Sequence, residues 1–146
     1  MANQPQQPDT ALHNASHLMQ YHDLIESIVA AMDARDAYTA KHSDRVADMV
    51  LVLATALDLS EDETTLLHMA AHLHDIGKIA VPDSVLRKAG PLTNPEWEEM
   101  RRHPVTGYEI LRKVDDFKEI AMLVRHHHER WDGRGYPDGL RGADIP

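Results

Sequence analysis

The chain has 146 residues, 24 Asp and Glu against 15 Lys and Arg, a formal net charge of −9, and 42% hydrophobic residues. That length suits one domain with one core and excludes a second sizeable domain, and the acidic balance excludes a basic stripe for DNA or an acidic membrane. The absence of cysteine excludes disulfide scaffolds, thiol catalysis and Cys-ligated zinc, whereas 11 histidines beside a single phenylalanine make a metal site the first hypothesis.

Residues 1–20 read as a flexible leader, with the domain proper over 21–146. Met1–Thr10 is polar, with Gln and Pro, and lacks the charged and apolar regions of a secretory signal. The longest apolar stretch, Met49–Leu57, is far short of the roughly 20 residues that cross a bilayer. A soluble, cytoplasmic protein without a membrane segment is expected. Ile25, Ile28, Val29 and Met32 recur at i, i+3, i+4 and i+7, the period of an amphipathic helix, and Val46, Met49, Val50 and Leu53 repeat it. Ser60 with Glu63 makes a capping box before a helix on which Leu67, Ala70, Ala71 and His74 share a face. Thr93 with Glu96, or Asn94 before Pro95, starts a further helix that Pro104 interrupts. Ile120, Leu123, Val124 and His127 show the same spacing again. No alternating run long enough for a strand appears, Ile79–Val81 being the nearest, so the predicted class is all-α. Near the end, Gly133, Gly135, Gly139 and Gly142 fall within ten residues. Glycine at that density suits a loop whose backbone comes close to a ligand.

Two histidine constellations carry chemistry. His74 and Asp75 are adjacent, about 100° apart on a helix, so they serve two ions more readily than one. A carboxylate bridging two cations about 3.5–4 Å apart is what a two-metal hydrolytic site needs. A buried histidine bonded to its own neighbour is the plain alternative. His126, His127 and His128 lie at a helix end, just before the glycine loop. Consecutive imidazoles splay, so two can address different ions while the third faces solvent. His127 continues an apolar stripe and is expected to point inward, where an imidazole without a partner is costly. His103 and His42 are isolated candidates. His68 and His72 form an i, i+4 pair, but Met69 stands where a metalloprotease needs glutamate, so they are expected at the surface or behind the ligands. His13, His17 and His22 are expected to be solvated.

Four ordered motifs carry a resemblance. They are Tyr38-Thr39-Ala40-Lys41-His42-Ser43-Asp44-Arg45-Val46, His74-Asp75-Ile76-Gly77-Lys78 with Val81-Pro82-Asp83, His103-Pro104-Val105-Thr106-Gly107, and His127-His128-Glu129-Arg130-Trp131-Asp132-Gly133-Arg134-Gly135-Tyr136-Pro137. From about Leu24 to Pro146 the chain resembles the HD-GYP subgroup of the HD phosphohydrolases, which hydrolyse cyclic di-GMP. The resemblance implies an HD-domain helical bundle in which His42, His74, Asp75, His103, His127 and His128 hold metal and Asp75 bridges. It implies that Lys78 approaches the substrate phosphate, and that Gly135, Tyr136 and Pro137 line the substrate groove. Tyr38 stands where some members carry a glutamate that holds a third ion, so two are expected. The family continues past Pro146 into helices that supply a further aspartate, so the chain is expected to be C-terminally incomplete.

The expected activity is metal-dependent hydrolysis of cyclic di-GMP or a related cyclic dinucleotide. Two cations lower the pKa of a shared water towards 7 and supply hydroxide without Ser or Cys. With Lys78 they neutralise charge on the phosphate oxygens, which lets an acidic chain bind an anion. Imidazole and carboxylate ligands suit Fe, Mn, Ni or Zn, and the resemblance favours Fe or Mn. It also implies diguanylate-cyclase-type or response-regulator signalling partners. Two rival readings stand beside this one. A mononucleotide phosphohydrolase on the same scaffold is disfavoured by the Gly-Tyr-Pro loop; a non-catalytic nucleotide- or partner-binding module would keep an incomplete metal site.

Overall fold

A computed structural model describes residues 18–35 and 41–146. Residues 1–17, with His13 and His17, and the Tyr38 position lie outside the described residues. Among the described residues seven α-helices follow in order: α1 (His22–Arg35), α2 (His42–Ala56), α3 (Glu61–Leu73), α4 (Asp83–Leu86), α5 (Asn94–Met100), α6 (His103–Leu111) and α7 (Lys118–His126). Three 3-10 helices, Ile76–Ala80, Asp115–Phe117 and Gly142–Asp144, join them, and there is no strand among the described residues. The fold is all-α.

Local chemistry sets the boundaries. Ser60 Oγ accepts from the Glu63 N–H at 3.3 Å while the Ser60 N–H donates to Glu63 Oε2 at 2.9 Å, so two orphan donors of α3 are satisfied reciprocally. Thr93 and Glu96 do the same for α5. Pro104 sits in the first turn of α6, where its missing N–H costs nothing, and the break from α5 falls at Arg101 and Arg102.

The core lies around α3, which packs on α1, α2 and α7. Ile25 and Val29 from α1 meet Met69 and Leu73 from α3, Ile76, and Ile120, Ala121 and Val124 from α7. Each large apolar side chain so buried contributes about 1.5–3 kcal/mol relative to exposure. Leu18 joins this cluster and Tyr21 meets Phe117 edge-on, with ring centroids 5.1 Å apart. On α2 the buried face differs from the apolar stripe. Ser43, Ala47 and Ala54 are buried, whereas Met49 is 63% and Leu53 56% exposed. Small side chains let α2 approach α3 closely; Val46 and Val50 are half-buried beside them, and Met49 and Leu53 project outward. No described helix is long and apolar enough to cross a membrane.

Candidate metal centre

Four helix ends and one tight turn deliver the site. α3 stops at Leu73, His74 caps it, and the chain tightens into the 3-10 helix with Asp75 at its start. His42 and His103 open α2 and α6, and His127 caps α7. The turn abuts α6 because Gly77 has no side chain. A Cβ there would stand 1.9 Å from the His103 carbonyl oxygen and 2.6 Å from the Gly107 nitrogen, both backbone. Arg35, at the end of α1, fixes the turn from the other side. Its guanidinium donates to the carbonyls of Lys78, Ile79 and Val81 at 3.2, 2.7 and 2.7 Å and to the Asp83 carboxylate at 2.7 Å.

The side chains gather in two groups. His42, His74 and Asp75 bring one ligand atom each within 4.8 Å of one another, and so do His103, His127 and His128. Asp75, only 13% exposed, stands between them. Its Oδ2 lies 3.1 Å from His74 Nε2 and its Oδ1 lies 3.3 Å from His103 Nε2. Three imidazoles have their tautomer set by the backbone. Nδ1 of His74, His103 and His127 lies 2.7, 2.8 and 2.7 Å from the carbonyls of Ala71, Met100 and Val124. A carbonyl only accepts, so each Nδ1 carries the proton; His103 and His127 are then left with an inward lone pair on Nε2, while His74 Nε2 meets the Asp75 carboxylate. His103 Nε2 and His127 Nε2 then face one another at 3.2 Å. Two lone pairs at that distance repel unless a cation lies between or beside them. The donor set therefore fits a metal ion.

Electrostatics agree with ligand duty. Burial pushes the His127 imidazole down to about 3, with the backbone bond to Val124 opposing and His128, His74 and His103 adding to the fall. Burial likewise takes His128 to about 4, helped by His103, and lowers His103. These rings are neutral at pH 7, the form that binds metal. Burial would raise the Asp75 carboxyl, but hydrogen bonds and charges from His74 and Lys78 overcome it and hold the group well below the usual carboxylate range. At His74 burial is outweighed by Asp75, and its value is raised. Lys78 Nζ donates to Asp75 Oδ2 at 2.7 Å, which sets one ammonium at the edge of the centre.

The glycine loop closes over the second group. Tyr136 stacks on His128, ring centroids 4.6 Å apart and planes 20° from parallel, and the Arg101 guanidinium lies 5.4 Å from the Tyr136 centroid. Gly135 is confined by backbone, since a Cβ would meet the Arg130 nitrogen and Glu129 Cα at 2.4 Å. The Tyr136–Pro137 peptide is cis. Glu129 Oε1 accepts from the N–H groups of Asp138 and Gly139 at 2.7 and 2.9 Å, which ties the loop back to the end of α7.

All six residues expected around the ions, together with Lys78 and Tyr136, are thus neighbours. Two expectations need correction and one narrows. His126 does not face solvent; it is 6% exposed, and its Nε2 lies 2.9 Å from Asp138 Oδ2, which also pairs with Arg125 at 2.7 Å. His22 is half-buried against His68 and His72 rather than solvated, and of the two places expected for His72 its burial excludes the surface. Nothing in the spacing of the sequence marks Glu129, Asp138, Arg35 or Gly77 as supports, because their partners lie in distant or irregular chain with no periodic signal.

A family model described as an HD domain matches residues 22–146. Over 126 residues the chain is 44% identical to the cyclic di-GMP phosphodiesterase response regulator RpfG of Xanthomonas campestris pv. campestris, covering 85% of this chain and 33% of that protein. It is 43% identical to the 3′3′-cGAMP-specific phosphodiesterase 2 of Vibrio cholerae (85% of this chain, 24% of that one). It is 39% identical to a cyclic di-GMP phosphodiesterase of Thermotoga maritima (85% and 34%). The chain thus spans about a quarter to a third of the length of these curated relatives.

Proposed function

Because the chain belongs to the HD domain family, in the HD-GYP branch whose motifs it carries, we propose that it is a metal-dependent phosphodiesterase acting on a cyclic dinucleotide. The relatives named for cyclic di-GMP and for 3′3′-cGAMP support that substrate class. The observation that carries the reading is the Asp75 carboxylate with one oxygen toward each histidine group. On this reading the centre takes two divalent ions, with Fe or Mn favoured and Zn or Ni also compatible with the donors. His42 and His74 hold one, His103, His127 and His128 the other, and Asp75 both. The ions supply an activated water at neutral pH and a positive field for the phosphate oxygens.

The rest of the work belongs to the chain. Nδ1 contacts to the backbone hold three rings with Nε2 inward, so little reorganisation accompanies loading. Lys78 places its ammonium beside Asp75, where it neutralises charge on a non-bridging phosphate oxygen. Tyr136, stacked on His128 with Gly135 and Pro137 on either side, forms one wall of the substrate groove, and Arg101 adds a cation over its ring. Hydrolysis adds water across one P–O ester bond and needs no protein nucleophile. A cytoplasmic setting belongs to the same reading.

The test is turnover of cyclic di-GMP and 3′3′-cGAMP, followed by chromatography, with chain stripped and reloaded with Mn2+ or Fe2+. The expected result is hydrolysis of at least one dinucleotide that chelation abolishes. Fully loaded protein that binds either dinucleotide but hydrolyses neither would overturn the reading in favour of a binding module.

A further inference from the structure

A second histidine cluster lies outside this centre. His68 and His72 occupy i and i+4 on α3 and therefore share a face. His22, the first residue of α1, reaches the same face. Its ring stacks on His68 with centroids 5.8 Å apart and meets His72 edge-on at 5.5 Å, while the His68 and His72 rings stand 4.7 Å apart. The three offer ligand nitrogens that all lie within 4.8 Å of one another.

Two details point to an ion rather than to packing alone. His68 Nδ1 lies 3.3 Å from the Ala47 carbonyl oxygen, which only accepts, so its Nε2 keeps a lone pair. His72 is 6% exposed and its Nδ1 is a buried polar atom without a hydrogen-bond partner. The nearest carboxylate oxygen, Asp44 Oδ1, is 3.7 Å away, too far for a hydrogen bond and close enough to complete a coordination sphere with a small movement. Buried polar atoms are ordinarily satisfied, and this one belongs to a ring with two other imidazoles beside it.

We propose that His22, His68 and His72 form a separate transition-metal site that takes Zn2+, with Asp44 or water as fourth ligand. Three imidazoles and one oxygen donor are a regular tetrahedral zinc set. Met69 lies where a general base would have to stand, so the site holds structure rather than performing hydrolysis. An ion there clamps the first turn of α1 to α3. It also steadies a wall of the cavity that α1 shares with Asp75 and Lys78, a space of about 220 Å³ lined by Val29, Met32, His72 and Ile76 among others.

The experiment measures zinc per chain after stripping, reloading and desalting, for the unchanged chain, His22→Ala and His68→Ala. Co2+ absorbance serves as a second readout of tetrahedral coordination. Each variant is expected to lose one zinc equivalent, or to bind it about tenfold or more weakly, with part of the tetrahedral Co2+ signal gone and Mn2+ binding at the main centre unchanged. His22→Ala is the safer variant because it lies at a helix start, and circular dichroism of the metal-free protein confirms that it folds. Equal zinc stoichiometry and affinity in folded His22→Ala and unchanged chain, with identical Co2+ spectra, would overturn the proposal.

Discussion

Asp75→Asn keeps the shape of the side chain and removes its charge, which isolates what the carboxylate does. In the folded protein that charge sits 2.7 Å from Lys78 Nζ and close to both His74 and His103, with the side chain 13% exposed. Removing one partner of a buried pair costs about 3–5 kcal/mol. Lys78 is 21% exposed and can turn partly toward water, so the lower end, about 3 kcal/mol, applies to the metal-free protein. At this chain length about 3 kcal/mol corresponds to a fall of roughly 6–12 °C in Tm. The Asp75 value is depressed on folding, so this stability is present above the unfolded carboxylate value and disappears as pH falls through the folded one. The difference between the two proteins should therefore persist at pH 7. Metal binding should suffer more. Disturbing an outer partner of a metal ligand already costs 10–100-fold, roughly, in affinity or activity, and a shared ligand touches both ions. Melting curves of chelator-treated protein, metal content after reloading, and dinucleotide turnover are the assays. An Asn variant that binds the same metal equivalents and turns over substrate at the original rate would refute the bridging argument.

Gly77→Ala should destabilise the chain by about 3 kcal/mol or more and reduce metal uptake, because the new Cβ meets the backbone of α6 and nothing there can yield without moving His103; a denaturant midpoint equal to that of the original chain would contradict this. In the metal-free protein, stability should fall between pH 7 and pH 5. His127 is held at about 3 by burial, so the unfolded chain takes up the proton first, at up to about 1.4 kcal/mol per pH unit for that group. His74 runs the other way, its contribution being present below the ordinary imidazole value and lost as pH rises through its raised folded one. His72, His103 and His128 side with His127, so urea midpoints should drop on acidification, and a rise would refute the assignment. Arg35→Lys cannot reproduce a fork that reaches three carbonyls and a carboxylate, so it should loosen the turn carrying Lys78 and slow turnover while metal content stays near normal; unchanged kinetics would show that Arg35 does not position Lys78.

What could be read from the chain was largely what is local. The capping boxes at Ser60 and Thr93 need only residues three apart, and the inward aim of His127 followed from its place on the stripe of Ile120 and Val124. On α2 the apolar spacing holds for only half of its stripe: Val46 and Val50 are half-buried beside the inner face, while Met49 and Leu53 are exposed. Its inner face is Ser43, Ala47 and Ala54, chosen for close approach, and small side chains leave little trace in an apolar pattern. The burial of His126 leaves no local trace, because its partner, Asp138, lies twelve residues on, across an irregular loop. His22 meets His68 only once α1 folds back on α3, a contact no spacing announces. The six proposed ligands come from four separate stretches, and for His42 and His103 the family motifs carry what periodicity cannot.

The most direct measurement is anomalous diffraction from crystals of the chain soaked in Mn2+. Two peaks about 3.5–4 Å apart, one beside His42 and His74, the other beside His103, His127 and His128, with Asp75 touching both, are the predicted result. A single peak, or density that leaves Asp75 out of contact with any ion, would contradict the account.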